Sequence, residues 1–176
     1  MAARHSQRLS SISEGDKNMR KLPFLFLLAL CLCLCACSNE SPAPAAPVDT
    51  AAEINVYYSD ESCENLISES VSIAELSPEN IMSALHEKGA ISAPVAVRSF
   101  LMDKTGIIRL DLGAEFGSMI NAMGTSGEYM MMGALVNTFL DAYSASGLML
   151  QVDGKTLETG HSIYDFTLEF FPLEPW

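Results

Sequence analysis

The chain has 176 residues, 49% of them hydrophobic, with 10 Lys/Arg against 22 Asp/Glu and a formal net charge of −12. That length leaves room for one domain of ordinary size beside a targeting segment. The acidic balance excludes nucleic acid and anionic lipid headgroups as electrostatic partners, because both would repel the chain.

Residues 1–18 are polar, carry both charge signs and show no apolar periodicity. Glu14 and Asp16 are out of character for an export leader, so the stretch reads as a start placed upstream of the true one at Met19. A long disordered leader is the alternative. Met19-Arg20-Lys21 then forms a short basic n-region ahead of an apolar run from Leu22. The run ends in Leu34-Cys35-Ala36-Cys37, a lipobox: an apolar residue three before a cysteine and a small residue immediately before it. Signal peptidase needs small side chains at the scissile bond, and a diacylglyceryl group needs a thiol. Cleavage is therefore expected between Ala36 and Cys37, with lipid on Cys37, whereas Cys33 follows Leu32 and Cys35 follows Leu34. A spanning helix is the competing reading. Leu22 to Ala36 is 15 residues, short of the roughly 20 that a bilayer requires, and Ser38-Asn39-Glu40 offers no basic flank.

Residues 1–36 hold five Lys/Arg and two Asp/Glu, so the remainder carries five basic and twenty acidic residues, net −15. Solubility close to a membrane is the simplest reading of that charge. Three of the five cysteines leave with residues 19–36 and Cys37 takes the lipid, which leaves Cys63. A nucleophilic cysteine wants cationic neighbours. Cys63 sits among Asp60, Glu61 and Glu64, and is not read as catalytic.

Residues 37–53 comprise the lipidated cysteine and a Pro/Ala-rich tether with nothing to bury. From residue 54 to 176 the pattern is that of a folded domain. Ile54–Tyr58 alternates and is β-branched and aromatic, predicting a strand. Ser59–Glu64 is an acidic turn, and Asn65–Ser72 a weaker second strand. Ser77-Pro78-Glu79 opens a helix with an N-cap, Pro at the first position and an acid near the positive end. Leu76 and Ile81 are placed for a hydrophobic staple. Ile81, Met82 and Leu85 form its buried stripe, and Gly89 stops it. Val97–Asp103 and Gly106–Leu112 predict a hairpin around Lys104-Thr105-Gly106, with Ile108, Leu110 and Leu112 inward. Thr125-x-x-Glu128 reads as a capping box for a long helix ending at Gly147, with Met132, Leu135, Val136, Phe139 and Tyr143 as its apolar stripe. Asp141 falls on the opposite side and is expected in water. Leu148, Leu150 and Val152 form a strand ending at Asp153-Gly154, and Phe166, Leu168 and Phe170 the last strand. The expected class is α/β (α+β): a compact mixed sheet, two helices on one face, in the order ββαββαββ.

Three blocks within this order resemble the GerMN domain, the sporulation and spore-germination module of cell-envelope lipoproteins. They are VRSFLMDKTGIIRLDLGAEF from Val97, ALVNTF at Ala134–Phe139, and LMLQVDGKTLETGHSIYDF with Asp153-Gly154 and Gly160-His161. INVYYSD at Ile54–Asp60 and the first helix also sit where that family has its first strand and helix. The resemblance covers most of residues 54–171 as one copy of the module; the Met-rich segment 118–132 departs from it. It implies an exported, often lipid-anchored protein linked with envelope assembly, and a likeness to ring-building domains of secretion machines that associate side to side. It brings no enzymatic activity and no cofactor.

Residues with chemical potential are few. His86 lies beside Leu85 and is expected in solvent. His161 could pair with Asp165, but a general base needs a nucleophile within reach, and no serine elbow is present, so Gly160-His161 reads as a turn. Asp60, Glu61 and Glu64 lack calcium-loop spacing. Met119, Met123, Met130, Met131 and Met132 suit copper(I), yet methionines so spaced are more often adaptable packing. Asn137, if buried, must be hydrogen-bonded; it is read as structural. The expected function is a non-catalytic interaction or assembly module, lipid-anchored through Cys37 on the extracytoplasmic face of the cell membrane. Its partners are envelope proteins or further copies of itself, with no metal, no cofactor and no nucleic acid. The alternative is an extracytoplasmic lipoprotein that binds a ligand or metal.

Overall fold

A computed structural model describes residues 51–175. Ala36, Cys37, the leader and nearly all of the tether lie outside them. Among the described residues no helix is long and apolar enough to cross a membrane.

The first strand, β1 (Ala52–Ser59), begins two residues inside the expected tether and pairs antiparallel with β2 (Leu66–Ile73). Their turn is organised on Asp60. Its Oδ1 accepts from Ser62 Oγ (3.0 Å) and the backbone of Glu64 (3.0 Å), and its Oδ2 from Asn65 Nδ2 (3.0 Å). These donors, Asn65 foremost, hold the Asp60 carboxyl down at about 2. An acidic turn was expected here, and its acid serves as the acceptor that closes it.

Helix α1 (Pro78–Glu87) follows its local signals. Ser77 Oγ accepts from the Asn80 backbone (3.3 Å), and Ile81, Met82 and Leu85 are buried. At the other end Gly89 takes φ +74°, which frees Ala90 N–H to reach Leu85 O (2.9 Å) and Gly89 N–H to reach His86 O (3.0 Å). That double closure is the glycine-dependent helix stop. Leu76 remains 42% exposed, so the expected staple buries only its Ile81 half.

Strands β3 (Val97–Met102) and β4 (Ile107–Leu112) form the expected hairpin, bulged between Val97 and Ser99. Gly106 at φ +82° turns the chain, and Asp103 Oδ1 accepts from the backbone of Thr105 (2.8 Å) and Ile107 (3.2 Å). β4 then pairs parallel with β5 (Gly147–Val152), Leu110 opposite Leu150. A parallel pair needs a long crossover. Here it carries two helices, α2 (Ala114–Asn121) and α3 (Thr125–Tyr143), where one was expected. Asp153 (φ +56°) and Gly154 (φ +72°) turn β5 into β6 (Lys155–Glu158), which pairs with the short β7 (Ile163–Tyr164).

The mixed α/β class stands, with one parallel pair in an otherwise antiparallel sheet. Two features of its arrangement differ from expectation. The strands form two sheets, β1-β2 and β3-β4-β5-β6-β7, rather than one. In addition, α3 is no surface helix with a single apolar stripe. Every residue from Met130 to Leu140 is buried, and the helix touches both β1 and β2 of the hairpin and β5 of the larger sheet. A helix apolar all round belongs inside. Separating the sheets is what lets both cover it.

The expected last strand shrinks to a single bridge, Leu168 exchanging backbone hydrogen bonds with Leu148 (2.9 and 2.7 Å). Leu168 is buried while Phe166 and Phe170 stay outside at 51% and 46% exposure. Gly147 does not stop α3, which ends at Tyr143 with Ser144 left-handed (φ 50°). Gly147 instead admits the tail: a Cβ there would lie 2.5 Å from Thr167 Cγ2. The tail continues over α3 as a strap. Phe171 N–H donates to Asn137 Oδ1 (2.7 Å), Asn137 Nδ2 donates to Phe171 O (3.0 Å), and Leu66 N–H donates to Leu173 O (2.9 Å) on the hairpin.

Candidate functional site

The first turns of α3 and the strap line an open cavity of about 420 Å³. Thr125, Glu128 and Tyr129 line it from α3. At spacings of three and four residues they share one helix face. His161, Ser162, Tyr164, Phe166, Phe170 and Phe171 line it from β7 and its flanks. Two ring pairs stand in its wall, Tyr164–Phe166 with centroids 6.2 Å apart and Tyr129–Phe171 at 5.1 Å.

Glu128 is the acid of the expected capping box, and here the expectation fails. Gly124, not Thr125, is the N-cap, and no side chain caps the helix. Glu128 turns inward and is 3% exposed. Its Oε1 accepts from Tyr164 Oη (2.7 Å) and Thr159 Oγ1 (2.7 Å). Thr159 Oγ1 in turn accepts from the backbone N–H groups of His161 (3.1 Å) and Ser162 (3.0 Å), so the turn 159–162 is built on the carboxylate. Glu128 Oε2 is buried with no hydrogen-bond partner among the described residues. Burial, and next the hydrogen bond and charge of Glu128, push the Tyr164 phenol far above its ordinary range, so Tyr164 stays a donor. The positive end of α3 supports the negative charge at Glu128.

The other sequence candidates lie elsewhere or do different work. His86 is half-buried rather than solvated, its Nδ1 3.1 Å from Ile91 O. His161 is exposed and stands 3.5 Å from Thr125 Oγ1, not against Asp165. Cys63 is exposed at φ 57° in the Asp60 turn. Among the described residues no three His, Cys, Asp or Glu side chains gather as a metal site. Met130, Met131 and Met132 are buried in the core and Met119 and Met123 pack against that core, as adaptable methionines do. Asn137 is fully buried and satisfied by Phe171, the structural role expected of it. Asp141 does not stand free in water: Asn55 Nδ2 (2.9 Å) and Tyr57 Oη (3.3 Å) both donate to its Oδ2.

Glu128 escaped the sequence reading because Thr-x-x-Glu is a capping signature in isolation. The spacing that could have revealed it is Thr125, Glu128 and Tyr129 on one face. That spacing becomes informative only when an aromatic tail is known to fold over it.

Comparison with known proteins bears on residues 55–158, which match the Germane family model, described as sporulation and spore germination. The tandem GerMN domains of the sporulation protein GerM from Bacillus subtilis share 17% identity over 73% of this chain and 48% of theirs, with a TM-score of 0.49. This chain thus spans about half the length of that tandem protein. A candidate lipoprotein from Clostridium perfringens shares 16% identity over 72% of this chain and 93% of its own, with a TM-score of 0.39. No curated protein matches the chain. Most of the cavity wall, from His161 to Phe171, lies beyond the family match.

Proposed function

The chain belongs to the Germane family of sporulation and spore germination, and from that premise we propose that it is a lipid-anchored, non-catalytic assembly module of the cell envelope. The observation that carries this reading is the family match over residues 55–158, seated on a fold of two sheets around one buried helix. The anchor is the lipid on Cys37, cleavage falls between Ala36 and Cys37, and residues 37–53 hold the domain off the membrane. The partners are envelope proteins or further copies of the chain. The net charge of −15 beyond residue 36 favours basic protein surfaces over nucleic acid.

Deletion in the parent organism and cross-linking of the anchored protein in its native envelope test the reading together. The expected result is a lowered yield of heat-resistant or germinating spores, with cross-links to envelope proteins or to a second copy. The anchor has its own control, since Cys37→Ser should leave the protein without lipid, either uncleaved or released. Normal spores together with an absence of cross-links would sink the assembly reading. Membrane retention of a processed Cys37→Ser protein would sink the anchor.

A further inference from the structure

The cavity between α3 and the strap has a chemistry that an assembly role does not use. Its wall is aromatic, and behind that wall sits a carboxylate of which one oxygen, Glu128 Oε2, has no partner among the described residues. Leaving a buried carboxylate oxygen unpaired is costly, and both hydroxyl donors, Thr159 Oγ1 and Tyr164 Oη, are nonetheless placed on Oε1. A positive helix end would by itself invite an anion, but Glu128 already occupies it. A cation is the ligand that such a carboxylate favours. Burial keeps the carboxylate's field from being screened by water and salt. The hydrogen bond from Tyr164 Oη to Oε1 draws electron density into the Tyr164 ring, and Phe166 lies 6.2 Å from that ring on the same wall. Aromatic faces backed by a carboxylate hold organic cations by ring quadrupole and charge together.

We propose that this cavity binds an alkylammonium group, through Glu128 as counter-ion and the rings of Tyr164, Phe166 and Tyr129 as the cage. A bare metal ion fits poorly, because the wall offers rings where a metal needs several oxygen, nitrogen or sulfur ligands. The ammonium comes either from a free amine or from a lysine side chain presented by a peptide. The site stands or falls independently of the assembly role. Tyr164 and Phe166 lie beyond the family match while Glu128 and Tyr129 lie within it, so the site joins the module to this chain's own tail.

The full-length protein in detergent is titrated with n-butylammonium, with Nα-acetyl-lysine amide and with a lysine-containing peptide, at ionic strength matched with sodium chloride. n-Butanol serves as the neutral control, and Tm and tyrosine fluorescence are read. Tm should rise with n-butylammonium and saturate, as for a ligand bound only by the folded state, while n-butanol and sodium chloride leave it unchanged. Glu128→Gln keeps an acceptor for Tyr164 but removes the charge, and should weaken binding about tenfold or more. Phe166→Ala, at an exposed position that folding does not need, should weaken it about threefold or more. Response to the peptide alone assigns the ammonium to a protein partner, and response to the small amines as well assigns it to a free ligand; both uphold the site. Equal responses to n-butanol and n-butylammonium, or affinity unchanged in both variants, overturn it.

Discussion

The two flanks of α3 share apolar burial and differ in the polar contacts added to it. Toward the larger sheet the contacts are apolar: Phe139 and Tyr143 stack around Phe100 of β3, with centroids 6.3 and 4.7 Å from it, over the buried Leu110 and Leu150. Toward the hairpin and the strap, hydrogen bonds set the position. Tyr57 N–H donates to Thr138 Oγ1 (3.0 Å), Asn55 and Tyr57 donate to Asp141, and Asn137 clasps Phe171. Apolar burial is strong and non-directional. A buried hydrogen bond adds little net stability but is expensive to break. Both sheets bury apolar side chains around the helix, the hairpin contributing Ile54, Val56 and Leu66, while the polar contacts decide where along it the hairpin and the strap come to rest. Gly133 shows how close that second approach is: a Cβ there would meet Leu66 Cδ1 at 2.6 Å and Phe171 at 3.3 Å.

The sharpest way to break this contrast is at its apolar pole. Phe139→Ala should cost about 3–5 kcal/mol, a large share of the roughly 5–15 that holds a domain together, measured by chemical denaturation. A loss smaller than that from the polar substitutions would reverse the roles assigned to the flanks. Asn137→Ala comes next, at about 1–3 kcal/mol, since it strands the Phe171 N–H and C=O. Its signature is local: amide exchange at Phe171 and Leu173 should quicken well before the strands β4 and β5 respond. Uniform acceleration across the domain would show that the strap has no separate hold. Asp141→Ala is the smallest, about 1 kcal/mol, because one of its two hydrogen bonds is exposed and the other only part-buried. Removing Tyr57 Oη first, as Tyr57→Phe, should shrink the effect of Asp141→Ala, as coupled neighbours do. Full additivity would mean that the contact carries nothing.

The candidate site divides in the same way between what spacing reveals and what assembly decides. His161 drew notice as a histidine, yet it only rims the cavity. Glu128, the residue with the unpaired oxygen, was concealed by its own good local explanation. A glutamate in the first turn of a helix can reach back to cap it or turn inward, and the two differ by little in local energy. Thr159 and Tyr164, more than thirty residues away, tip the balance by donating to Oε1.

From sequence alone came the elements whose signals are local. The Ser77 cap and Gly89 stop of α1, the β3–β4 hairpin on Asp103 and Gly106, and the Asp153-Gly154 turn each close within a few residues. The family was legible for the same reason, since its blocks follow those turns in order. Tertiary structure alone decided the rest: that the strands part into two sheets, that α3 lies between them, that Gly147 makes room for Thr167, and that Phe166 and Phe170 remain outside while Leu168 enters. Periodicity reports how many faces of an element are apolar, not what will cover them. An uninterrupted buried run such as Met130–Leu140 fits a helix covered on every side, and only the long-range pairing of the hairpin and the strap provides the second cover.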